Sequence, residues 1–229
     1  MKIISIIPAR GGSKSIPKKN LVSFLGNPLI SKSIQQSKKS KLINRTFVST
    51  DDEDIKLISK EYGAEVITRP NEISDDNATT ESAILHAIEF LNKTENFTPD
   101  IIVLLQATSP LRKKNDIDNA INQFILEKAD SLISGSKFED FLFWEFDSKK
   151  WHAVNYNPNN RMRRQDRKPQ FVENGSIYIF KPEILYKFNN RIGGKLSMFE
   201  MSFWQTWEID TYEEIDLLEF YYKKYLAKE

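Results

Sequence analysis

The sequence predicts an α/β fold: a largely parallel β-sheet covered by helices on both faces. Short β-branched runs alternate with stretches of helical periodicity through the first half of the chain. These runs are apolar nearly throughout, as strands buried on both faces are. Composition allows such a core, with 40% of the 229 residues apolar and 28% charged.

Each element follows from its residues. MKIISIIPA, residues 1–9, reads as a buried strand ending at a turn. NPLISKSIQQSKKS, 27–40, sets Leu29, Ile30 and Ile34 on one side of a short helix. In residues 45–67, Phe47 and Val48 sit in a strand. Thr50 with Asp51 or Asp52 then caps a helix carrying Ile55, Ile58 and Tyr62; Gly63 stops it, and AEVI begins the next strand. A third helix places Ile84, Ala87, Ile88 and Leu91 on one face. The apolar run PDIIVLLQATSP, 99–110, breaks at Pro110; NDIDNAINQFILEKAD is a helix and SLISGS a strand.

The rhythm changes at Lys137. KFEDFLFWEFDSKKWHAVNY is aromatic and roughly alternating, as hairpin strands are, and residues 157–170 are polar, basic and irregular. Asn174-Gly175 predicts a tight turn. GSIYIF returns to a strand, a short helix opens at Pro182, and a last helix carries Ile215, Leu218, Tyr222 and Tyr225. The reading is one domain over 1–229, with an aromatic insertion at about 137–170 as an oligomer arm.

Charge and composition exclude several classes. A net charge of +1 gives no general attraction to nucleic acid or membrane, so an anion site has to be made locally. With no cysteine there is no disulfide, zinc-thiolate site or thiol nucleophile, which fits a cytoplasmic protein. The N-terminal apolar run is too short for a signal peptide, and no segment approaches the ~18 apolar residues of a membrane span. His86 and His152, with no G-x-S-x-G elbow, offer no covalent hydrolase machinery.

Four stretches carry candidate chemistry. IIPARGGSKSIPKKN, 6–20, follows the first strand, where open parallel sheets hold their ligands. Gly11 and Gly12 let backbone amides approach phosphate oxygens, Arg10 can fork onto a phosphate, and Lys14 and Lys19 are point charges. On composition alone the stretch is equally a solvated basic turn; it matches neither GxxxxGK[ST] nor GxGxxG. In TWEID, 206–210, Glu208 and Asp210 would face one side of a strand and could share Mg²⁺; helix capping explains the same residues. In LLQATSPLR, Gln106, Thr108 and Ser109 lie where a buried strand surfaces, suited to a polyhydroxylated ligand or to ordinary turn bonding. Five basic residues between Arg161 and Lys168 can clamp a carboxylate or phosphate, or form a solvated loop.

Taken in order, IIPARGGSKSIPKKN, VSTDDEDI, SDDNATT, LLQATSPLR, RRQD, ENGSIYI and EIDTYEEID resemble the acylneuraminate cytidylyltransferases, or CMP-sialic acid synthetases, over nearly the whole chain. The resemblance implies a Rossmann-like nucleotidyltransferase fold with a small β-rich dimerisation insertion. It implies a homodimeric enzyme that uses Mg²⁺ to transfer CMP from CTP to the anomeric hydroxyl of a nonulosonic acid. Arg10, Gly11, Gly12, Ser13, Lys14, Lys19 and Asn20 match the CTP-binding loop, and Arg69 matches an arginine near the cytosine. Arg10, Lys19 and Asp210 are the implied catalytic residues. Gln106, Arg164, Gln165 and Tyr178 match sugar-pocket positions. Asp210 matches the principal metal ligand, with Glu208 where the family often has aspartate. A lysine of some bacterial sugar pockets has no match in FLFW; Lys137 lies upstream. Rival readings are a sugar-phosphate nucleotidyltransferase, whose G-x-G-T-R-L-like loop is absent, a metal-dependent glycosyltransferase, and a non-catalytic nucleotide-binding module.

Overall fold

A computed structural model describes residues 1–13, 15–138 and 141–227. In chain order the elements are β1 (Ile3–Pro8), β2 (Ser23–Phe24), β3 (Asn27–Pro28), α1 (Leu29–Lys39), β4 (Arg45–Thr50), α2 (Glu53–Glu61), β5 (Glu65–Thr68), α3 (Thr80–Glu95), β6 (Ile101–Leu105), α4 (Asp116–Leu126) and β7 (Ser131–Lys137). Then come β8 (Trp144–Asp147), β9 (Lys150–Ala153), β10 (Phe171–Phe180), α5 (Pro182–Phe188), β11 (Leu196–Met201) and α6 (Tyr212–Tyr225).

Seven strands form one sheet in the order β11-β7-β10-β6-β1-β4-β5. β1 pairs in parallel with β4 and β6, β4 with β5, and β7 with β11; β10 runs antiparallel to both of its neighbours. β1 shows why its residues are apolar on both sides. Ile3 and Ile7 enter a core with Ile34, Ile55 and Ile121 of α1, α2 and α4. Ile4 and Ile6 enter the opposite core with Ile84, Ile88 and Leu91 of α3 and Leu185 of α5. A third cluster packs Leu218 of α6 on Phe24, Leu29 and Ile16.

Local chemistry sets the helix ends. Asp52 caps α2 by accepting from the Ile55 amide at 2.9 Å, Gly63 follows α2 with φ +83, and Thr79 caps α3 through the Ser82 amide. The turn expected at Asn174-Gly175 is not a turn. β10 runs straight through it, pairing Phe171 with Lys137 before it and Tyr178 with Ile133 after it, with a register shift between. Gly175, at φ +65, is absorbed as a bulge, because pairing with β7 on both sides keeps the chain in one direction. The aromatic hairpin forms as β8 and β9, a separate two-stranded sheet.

Candidate functional site

The carboxyl ends of β1, β5 and β6 open onto a cavity of about 490 Å³, within the usual size for a small-molecule site. The loop after β1 contributes Arg10, Ser13, Lys19 and Asn20. Arg69 enters after β5, Gln106 and Thr108 after β6, and Glu208 and Asp210 from the segment before α6. Thr79 and Thr80 bring the amide end of α3 to the wall, where the helix dipole favours negative charge.

Parts of the loop after β1 are pinned to the sheet and to each other, while Gly12, Ser15, Pro17 and Lys18 are exposed. Ala9 donates its amide to the Ser49 carbonyl at 2.9 Å. Ile16 is fully buried, and Asn20, also buried, donates to the Arg10 carbonyl at 3.0 Å. Arg10 reaches the Asp75 carbonyl at 2.7 Å and the Asp76 carboxylate at 3.0 Å. Arg69 is buried and donates to the Ser49 carbonyl at 2.7 Å; burial holds its guanidinium below the ordinary value.

Glu208 and Asp210 reach the cavity without a strand ladder. The Ile209 amide donates to the Thr108 carbonyl at 2.9 Å and its side chain is wholly buried beside Leu111 and Leu218. With Ile209 turned inward, its two neighbours line the cavity. Asp210 meets Lys19 Nζ at 2.6 Å. Glu208 accepts from Thr108 Oγ1 at 3.1 Å; burial and then Asp210 raise its carboxyl above the ordinary range. Helix capping falls to the next residue: Thr211 and Glu214 form a capping box at α6.

Two further groups hold this arrangement. Arg112 is buried, and all five of its N–H bonds are used: on the carbonyls of Gln106 and Ser176, on Ser33 Oγ and on Gln36 Oε1. Burial pulls its guanidinium down to about 9, so it stays charged at neutral pH while pinning the start of the Gln106 loop. Gly175 lies against Glu208: a Cβ there would stand 1.9 Å from Glu208 Oε1 and 3.3 Å from Gln106 Nε2. Neither role is legible in sequence, since both arise from contacts between distant segments.

The profile of the family described as "Cytidylyltransferase" matches residues 4–226. The chain belongs to the cytidylyltransferase family. It is 41% identical over 140 residues to a pseudaminic acid cytidylyltransferase of Campylobacter jejuni, covering 61% of this chain and 60% of the relative. It is 31% identical over 218 residues to an N-acylneuraminate cytidylyltransferase of Streptococcus agalactiae, covering 93% of this chain and 52% of the relative. The chain thus spans between half and two thirds of the length of these curated relatives. Its fold is similar to that of a CMP:2-keto-3-deoxy-manno-octonic acid synthetase complexed with CTP: TM-score 0.74, 17% identity, covering 99% of this chain and 100% of that one. A 4-diphosphocytidyl-2C-methyl-D-erythritol synthase gives 0.71 at 12% identity, covering 96% and 97%.

The cytidylyltransferase positions named from sequence fall in several places. Arg10, Ser13, Lys19, Asn20, Arg69, Gln106, Glu208 and Asp210 share the cavity. Gly11 turns its amide to Asp51 Oδ1 at 3.0 Å, and a Cβ there would meet Asp52 at 2.8 Å; Gly12 is exposed. Lys14 lies outside the described residues. Arg164 and Gln165 line a second cavity of about 380 Å³ in the insertion, with Lys137, Phe138 and Lys168. Tyr178 is buried in β10, its hydroxyl donating to Glu173 Oε1 at 2.5 Å; burial and then Glu173 push it up to about 12.

Proposed function

We propose that this chain transfers CMP from CTP to the anomeric hydroxyl of a nine-carbon nonulosonic acid, of the N-acylneuraminate, legionaminate or pseudaminate kind, and releases pyrophosphate. The observation that carries the reading is the single cavity in which Arg10, Lys19 and Arg69 face Glu208 and Asp210 at the carboxyl ends of parallel strands. The names of the curated relatives, one acting on pseudaminic acid and one on N-acylneuraminate, support the acceptor class.

The reaction brings two anions together. Arg10, Ser13, Lys19 and Asn20 lie along the triphosphate and offset its charge as the α-phosphorus is attacked and pyrophosphate leaves, and Lys14 is assigned to the same CTP-binding loop from the sequence. Arg69 stands at the cytosine. Gln106, Tyr178, Arg164 and Gln165 hold the sugar acid. Among the described residues no group of three or more acidic or histidine side chains could hold a metal ion. Mg²⁺ nevertheless suits this donor set, because it takes one or two carboxylates and completes its shell with water and substrate phosphates. Asp210, with Glu208, would hold it. When bound it supplies charge neutralisation at the phosphates and a lower pKa for the attacking hydroxyl.

The enzyme acts as a homodimer, the insertion at about 137–170 bringing Arg164 and Gln165 to the other protomer's cleft, and it works in the cytoplasm; among the described residues no helix is long and apolar enough to cross a membrane. The test is incubation with CTP, Mg²⁺ and a panel of nonulosonic acids, measuring pyrophosphate. Release with at least one nine-carbon acid, and none with a sugar 1-phosphate, is expected. Nucleotide binding without pyrophosphate release for any acid would replace the enzyme with a binding module.

A further inference from the structure

The loop between α5 and β11 places one side chain, Arg191, against the catalytic cavity's wall. Its ends are tied down. Asn189 and Gly194 take left-handed conformations, and a Cβ on Gly194 would stand 2.6 Å from Asp130 Cβ. Ser131 Oγ donates to the Gly193 carbonyl at 2.7 Å, and the Lys195 amide donates to Asp130 Oδ2 at 2.9 Å. A loop held at both ends delivers its middle residue to a defined place.

There Arg191 joins two separate elements. Its side chain is 19% exposed and donates from Nη1 to Glu81 Oε1 in the first turn of α3 at 2.5 Å. Its guanidinium lies 4.3 Å from the centroid of the Tyr178 ring in β10. Both partners adjoin the cavity: Glu81 follows Thr79 and Thr80 in its wall, and Tyr178 stands directly across the sheet from Leu104, which also lines it. Arg191 Nε is buried without a hydrogen-bond partner, an arrangement that costs stability.

We propose that Arg191 is a positioning residue for the acceptor half of the cleft. It clamps the first turn of α3 to Tyr178, so that the sugar acid meets a preformed wall. The CTP half has ties of its own, Asn20 on the Arg10 carbonyl and Arg69 on the Ser49 carbonyl, and it meets the segment before α3 where Arg10 binds Asp75 and Asp76. The naming of the acceptor rests on the proposed cytidylyl transfer; the clamp itself does not.

Arg191→Gln, Arg191→Lys, Glu81→Gln and the Arg191→Gln, Glu81→Gln double variant test it, by steady-state kinetics for each substrate and by amide hydrogen exchange of the protein alone. Arg191→Gln is expected to raise KM for the sugar acid about tenfold while KM for CTP stays within about twofold. Exchange at residues 79–84 should quicken while residues 10–20 keep their rate. Arg191→Lys should recover part of the loss by keeping the charge on Glu81, and the double variant should be no worse than the worse single one. Equal rises in both KM values, a fall in kcat alone, or unchanged exchange at 79–84 would overturn the proposal. If Arg191→Gln does not fold, the exchange comparison passes to Arg191→Lys and Glu81→Gln. Wild-type protein that turns over no acid counts against the functional reading, and the exchange result still decides the clamp.

Discussion

Asp210 and Glu208 stand two residues apart in one cavity, and their surroundings separate their roles. Asp210 is 62% exposed, so a cation can reach it beside its ion pair with Lys19. Glu208 is mostly buried against Thr108. Asp210→Asn is expected to lower pyrophosphate release by about 10²–10³-fold, the scale of losing a principal electrostatic group, with an unchanged circular dichroism spectrum. Near-normal rates in Mg²⁺ would remove Asp210 from the metal role. Glu208→Gln makes the complementary prediction. Burial raises the Glu208 carboxyl above its ordinary 4.5, so the folded state binds that proton more tightly than the unfolded chain does. Well above the raised value the wild type carries the cost of a buried charge; below 4.5 both states are protonated and the cost is gone. Gln keeps the shape and the bond from Thr108. The variant should therefore melt higher than wild type at neutral pH and lose that advantage as the pH falls to about 4, while its turnover drops. Lower melting at neutral pH would show that the charge is offset in place.

At the scale of elements, β10 couples the sheet to the site through its bulge. Gly175→Ala has to place a methyl group in a left-handed conformation and against Glu208 Oε1. The expected cost is about 1–3 kcal/mol in chemical denaturation, with turnover reduced as Glu208 moves; wild-type stability and rate would mean that β10 relaxes freely here. This bulge also marks where sequence stops being legible. Asp52, Gly63 and Pro182 announce their helix ends because each signal is local, acting within a few residues of itself. Ile4, Ile6 and Leu104 announce strands because both faces of the sheet are covered. Asn174-Gly175 has the local chemistry of a turn, and only the pairing partner β7 makes it a bulge. β11 was not foreseen: LSMFEM mixes Leu196 and Glu200, both exposed, with buried Ser197 and Met201, which suits an edge strand and blurs its period. In the site, the resemblance named Arg10, Ser13, Lys19, Asn20, Arg69, Gln106, Glu208 and Asp210, which share the cavity, and Arg164, Gln165 and Tyr178, which do not line it. It did not name Arg112 or Arg191, whose roles lie in tying distant segments together.

For the whole molecule, the aromatic insertion makes the largest demand. Among the described residues β8 and β9 pair only with each other, and an isolated two-stranded hairpin is marginal in water. Trp144, Phe146 and Trp151 on it are 49%, 60% and 66% exposed, and at its base Phe141 and Phe143 each stack on Phe138, with Phe203 on Phe141. A second copy of the chain would cover this apolar surface. The protein should sediment at twice its 26.7 kDa protomer mass, and Phe146→Glu with Trp151→Glu should sediment as the protomer. Complementation tests whether the arm also serves chemistry. Arg164 and Gln165 lie in a cavity apart from Asp210, so in a dimer each active site would draw on both protomers. Asp210→Asn and Arg164→Ala should each be poorly active alone. Co-expressed in equal amounts, half of the dimers would be mixed, and each mixed dimer would hold one site with both residues intact. Activity should then recover to about one quarter of wild type by that symmetry. A dimer whose mixed form recovers nothing would confine the arm to assembly, and a protomer-sized wild type would leave each cleft to be completed by its own chain.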